Sequence, residues 1–172
     1  MIPMKLASCA FAGTLGLAAL PALAQDAPPQ SARKDCLSVE LMMYSGRPRP
    51  QYLLCGEDEK TEATRKIADI REEKAENVPY PTLEPSPEYQ GVLLTLPKKP
   101  GERASRVFLR KGYVKVSGSD KVLVDKGRDL EQFFLDRSLK EKDISESPGK
   151  GNDLRPLAAP ILEKLKAEMK AK

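Results

Sequence analysis

Two cysteines, Cys36 and Cys55, bracket CLSVELMMYSGRPRPQYLLC, and their use limits what this 172-residue chain can fold into. Three uses compete: a metal site, a redox pair and a covalent staple. The chain holds no histidine, and two thiolates cannot complete a four-coordinate zinc site without carboxylate help. Thioredoxin-like pairs place their cysteines two residues apart, far closer than these two. A disulfide between Cys36 and Cys55 is expected, provided the chain works in an oxidising compartment.

The N-terminus speaks to that condition. MIPMKLASCAFAGTLGLAALPALAQDAPP has one lysine, Lys5, then an uncharged run from Leu6 that closes on Ala22-Leu23-Ala24. This pattern predicts a signal peptide over residues 1–24, cleaved after Ala24, and a periplasmic or secreted mature protein. An uncleaved anchor competes, since about 20 apolar residues can span a bilayer. Leu6-Ala7-Ser8-Cys9 resembles a lipidation box but precedes the apolar run instead of following it. Cleavage removes Cys9 with the leader; 172 residues less 24 leave 148, enough for one modest domain with an even cysteine pair.

The mature chain divides by composition. A flexible start, 25–35, precedes a stapled hairpin and charged helix over 36–76. Leu37 to Met43 alternates partly as a strand, Gln51-Tyr52-Leu53-Leu54 can partner it, and Ser45-Gly46-Arg47-Pro48 has turn chemistry. Pairing residues whose numbers sum to 91 sets Cys36 opposite Cys55, with Pro48 and Pro50 facing outward on an edge. A short helix over 34–44 competes. The charged run over 56–76 has acidic residues at its start, where the helix dipole favours them, and a thin stripe of Ala63, Ile67 and Ile70. Prolines 79, 81, 85 and 87 then make residues 77–91 a spacer or a strap, which Tyr80, Leu83 and Tyr89 could dock.

A β-meander with a helix follows over 92–145. Gly91–Leu96, Arg106–Val116 and Lys121–Asp125 read as strands, and Ser117 to Asp120 as a turn. A register summing to 238 places Val116 opposite Val122 and Val114 opposite Val124. Val107 and Leu109 have the opposite parity, which a bulge near Gly112 would reconcile. Asp129 is the expected cap of a helix carrying Leu130, Phe133, Phe134 and Leu135, with the phenylalanines in the core. Residues 146–172 form a flexible break and an amphipathic helix. The fold expected is α+β: a small antiparallel β-meander packed with two helices, plus an N-terminal disulfide-closed hairpin and a charged helix.

Function is read mainly by exclusion. Without histidine there is no Ser-His or Cys-His arrangement. Ser31–Lys34 and Ser147–Lys150 match S-x-x-K, but neither lies at a helix start in an expected core. SPGKGND does not satisfy the phosphate-loop pattern, and Glu57-Asp58-Glu59 lacks calcium-loop spacing. No catalytic residue, cofactor or metal is expected. A net charge of +4 with both signs interspersed, and 5% aromatic residues, does not describe a nucleic-acid binder.

The favoured expectation is a non-catalytic accessory or adaptor protein that binds an envelope or secretion protein. Its candidate partner-binding face is Ile161, Leu162, Leu165 and Met169 on the C-terminal helix, which otherwise docks on its own domain. The second is a soluble binder of an anionic glycan or lipid surface, using Lys98, Lys99, Arg103, Arg106, Arg110 and Lys111. The competing role for those cations is a protected strand edge. The third is a carboxylate-dependent hydrolase of cell-wall material.

Overall fold

The computed structural model describes residues 35–43, 49–72, 88–97, 104–149 and 152–171. Within them lie six strands and three helices, an α+β fold. The leader, the S-x-x-K serine at Ser31, most of the proline segment, and Lys98, Lys99 and Arg103 fall outside the described residues. Among the described residues no helix is long and apolar enough to cross a membrane.

β1 (Leu37–Met42) and β2 (Gln51–Leu54) form the expected hairpin, paired from Leu37↔Leu54 to Glu40↔Gln51. The competing helix does not form. Cys36 and Cys55 follow in the same register and are disulfide-bonded, with Cα atoms 4.4 Å apart. Pro50 departs from expectation: it precedes the strand, is buried, and its carbonyl accepts a 2.8 Å hydrogen bond from the Leu41 N–H. The outer edge of β2 is instead closed by Ser145, which exchanges two backbone hydrogen bonds with Gln51.

α1 (Glu57–Glu72) sets Ala63 and Ile67 into the core and leaves most of its other described residues in water. β3 (Gly91–Thr95) then pairs with β1, joining hairpin and meander into one antiparallel sheet of order β2-β1-β3-β4-β5-β6. β4 (Arg106–Arg110) and β5 (Tyr113–Val116) pair as Val107↔Val116 and Leu109↔Val114. This corrects the single long strand with a bulge. Lys111 and Gly112, at φ 50° and 83°, make a two-residue turn whose left-handed pair matches strand twist. Such a loop gives paired numbers an odd sum, so facing residues change parity. β6 (Val122–Val124) pairs with β5 as Val114↔Leu123, one residue out of the expected register. Leu123, not Val124, thereby joins the buried face.

That face is continuous. Leu54, Leu37, Val39, Leu94, Val107, Leu109, Val114 and Leu123 lie on it in register and are buried. α2 (Asp129–Lys140) adds Leu130, Phe134 and Leu135 to the same core. Phe134 is fully buried as expected, while Phe133 is half-buried, edge-on to it, with the Lys66 ammonium 5.2 Å from its ring centroid. Tyr52 donates its hydroxyl to the Phe134 carbonyl at 2.8 Å, which lets a buried phenol meet a partner where the sheet underlies α2.

Asp129 does not cap α2. Asp125 does so: its carboxylate accepts the Asp129 and Leu130 N–H groups at 3.1 and 2.9 Å. α3 (Arg155–Lys170) packs on α2 through Ala158 and Leu162, both buried, and Lys166 pairs with Asp136 at 2.8 Å.

Candidate functional site

A cleft of about 750 Å³ opens beside α3, at the end of the strands opposite the disulfide. Four pieces of chain build it: residues 88–90 leading into β3, the β4–β5 turn, the start of α2 and the middle of α3. Its volume is in the range of small-ligand sites.

One wall is apolar. Ile161 and Leu165, one turn apart on α3, face the cleft beside Pro160, with Lys164 and Glu168 along the rim. The helix thus carries two stripes: Ala158 and Leu162 lock it to α2, and the adjacent stripe of Ile161 and Leu165 is half-buried, with Ile161 packed on the edge of the core while it lines the cleft.

A second wall is cationic. Arg110, at the end of β4, is buried to 7% exposure; Lys111 opens the turn; Arg128 precedes α2. With Lys164, four basic residues line the cleft against two acidic ones, Glu88 and Glu168. Lys164 and Glu168 sit 4.0 Å apart on the α3 surface, so each offsets the other's charge and the basic excess lies on the other elements.

Two glycines make room for this wall. Gly91 has φ 136°, and a Cβ there would collide with the Leu109 carbonyl oxygen and press on the Arg110 side chain. A Cβ on Gly112 would lie 2.8 Å from the Asp125 carbonyl oxygen and 3.2 Å from Arg128 Cγ. Both backbone contacts require the missing side chain.

Behind the wall stands Glu131, 1% exposed. Arg128 Nε donates to it at 2.9 Å and the Tyr89 hydroxyl at 2.7 Å, so both carboxylate oxygens are engaged. This network holds two cleft-lining side chains in place. Nearby, burial raises the Asp125 carboxyl above its ordinary 3.8, opposed by the two N–H groups it caps.

Lys111 and Arg128 are also the two non-glycine residues at positive φ among those described, at 50° and 55°. Left-handed backbone costs an L-residue with a Cβ roughly 1–2 kcal/mol. Both strained cations line the same cleft.

The expected site residues are divided by the fold. Of the candidate partner-binding set, Leu162 is in the core, Met169 is half-buried against it, and Ile161 and Leu165 face the cleft. Of the polyanion set, Arg110 and Lys111 converge on the cleft, whereas Arg106 is exposed at the far end of β4. Arg128 and Glu131 had no place in the sequence reading, and Tyr89 entered it only as a residue that could dock the proline segment, not as part of a site. A Lys-Gly dipeptide between two alternating runs was the available signal for the turn, and hence for the wall.

Among the described residues no cluster of three or more cysteines and carboxylates is arranged to hold a metal ion. Protein-family models, curated proteins and solved structures each gave no match to this chain.

Proposed function

We propose that the protein is an exported, non-catalytic accessory protein that works by binding an anionic component of the cell envelope in this cleft. One observation carries the reading: Arg110, Lys111, Arg128 and Lys164 converge on a single concavity, against two carboxylates on its lining. The disulfide is compatible with an oxidising compartment, which is where export would leave the chain.

The test is salt-dependent binding. Mature protein should be retained by phosphatidylglycerol vesicles or an acidic polysaccharide at low ionic strength, and less so at physiological salt, as exposed charges are screened. Retention that ignores salt would refute the anionic reading. It would favour the second one, an envelope or secretion protein docked on the apolar stripe of Ile161 and Leu165. Export has its own check: the chain recovered from the envelope should begin at Gln25.

A further inference from the structure

We propose that the cleft takes a single-chain amphiphile with an anionic head, such as a medium-chain carboxylate, bound as a monomer. The inference rests on the anionic reading above and narrows it to one ligand class.

The cleft pairs a cationic lining with an apolar one. A bare anion would need only the cations, and an apolar peptide or neutral lipid only Ile161, Leu165 and Pro160. The cleft, of about 750 Å³, has both: cations from the end of β4, its turn and the residue before α2, and apolar side chains from α3. Arg110, Lys111 and Arg128 gather at one side, where guanidinium forks suit a carboxylate or phosphate. Along α3, the apolar stretch from Pro160 to Leu165 rises about 7.5 Å, the length of a chain of about six carbons. Three of the four cations thus come from elements other than α3, which supplies the apolar side chains with Lys164 and Glu168 beside them.

The construction of the cationic wall points the same way. Glycines at 91 and 112 admit the Arg110 and Arg128 side chains, and buried Glu131 fixes the Arg128 guanidinium. Lys111 holds a left-handed position at the head of a tight turn, where glycine would be easier. Strain of this kind gathers at ligand sites, and here it presents a cation.

Calorimetric titration of the mature full chain with decanoate tests the inference, with acetate and decyltrimethylammonium as controls. Decanoate should bind with one-to-one stoichiometry, at least about tenfold more tightly than either control, with affinity rising roughly two- to fourfold per methylene from hexanoate upward. Lys111→Gly should raise the melting temperature and weaken decanoate severalfold. Leu165→Ser should flatten the chain-length dependence.

Equal affinity for acetate or for the cationic amphiphile overturns the inference. So does unchanged decanoate affinity in both variants. Binding to phosphatidylglycerol vesicles or acidic polysaccharide without binding decanoate overturns it while leaving the proposed function standing. Failure of all these anions overturns both.

Discussion

At the end of the strands closed by Cys36 and Cys55, local preferences and the fold agree. Leu37 and Leu54 lie opposite each other, fully buried, and α1 starts two residues past Cys55 with Glu57, Asp58 and Glu59 in its first turn. Lys60 ties back to Glu57 at 2.6 Å and to the Asp35 carbonyl at 3.0 Å. At the other end preferences are broken. A buried arginine and two left-handed cations line one concavity, with a buried glutamate behind them. Stability alone accounts for the first end. It does not account for Lys111 where glycine would fit more easily, and strain of this kind is common at ligand sites.

The contrast can be attacked first where it should be strongest. Leu37→Ala deletes a fully buried side chain beside the disulfide and should cost about 3–4 kcal/mol, read as a lower urea midpoint. Replacing both Cys36 and Cys55 with alanine should cost about 3 kcal/mol by releasing a loop of roughly 20 residues in the unfolded chain. Small losses from both would mean that this end is not the firm one.

Arg128→Gly is a sharper probe, because two effects oppose. It relieves left-handed strain but strands a buried carboxylate with only the Tyr89 hydroxyl as a partner. Breaking a buried pair outweighs relief of one strained residue, so a net loss of about 2 kcal/mol is expected in urea denaturation. A gain in stability would show that the Arg128–Glu131 pair does not anchor the wall.

How much of this was readable in advance divides along the same line. The hairpin over 36–55 was legible because a covalent pairing and a parity rule agreed on one register. The β4–β5 turn left its trace too, in the parity change between Leu109 and Val114. It was misread as a bulge because Lys-Gly lacks the asparagine or aspartate that usually announces such turns. That error displaced the next register by one residue. The cleft was not legible at all. Arg110, Arg128 and Ile161 come from three separate elements, and only the docking of α3 on α2 and the pairing of β3 with β4 bring them together. The α3 helix was seen as amphipathic, but periodicity does not say which of two adjacent stripes, Leu162 or Ile161 and Leu165, meets the core.

Asp125 joins the cleft end to the helix behind it, and pH exposes its role. Asp125→Ala removes both cap contacts and should cost about 1 kcal/mol. Its carboxyl is raised by burial above 3.8, so the folded chain holds that proton more tightly than the unfolded one. The resulting stability is complete below 3.8 and is lost as pH rises through the higher folded value. Asp125→Asn cannot lose a proton. Urea midpoints of the two chains should therefore shift in favour of the asparagine form between acidic and neutral pH. An unchanging gap would mean that the caps cancel the effect of burial, and a shift toward the aspartate form that they outweigh it.

The smallest effect expected is the most telling. Lys111→Gly keeps the Lys111-Gly112 turn and removes a Cβ from a residue at φ 50°, so the chain should gain about 0.5–1 kcal/mol. Nothing comparable is available at the disulfide end, where no residue among those described is held left-handed without being glycine. Arg128 has the same backbone but a buried partner, so identical substitutions at the two positions should move stability in opposite directions. If Lys111→Gly leaves the urea midpoint where it was, the turn bears no strain and the contrast between the two ends loses one of its supports. If the midpoint rises, Lys111 costs the fold stability, which is the result expected if its ammonium serves the cleft.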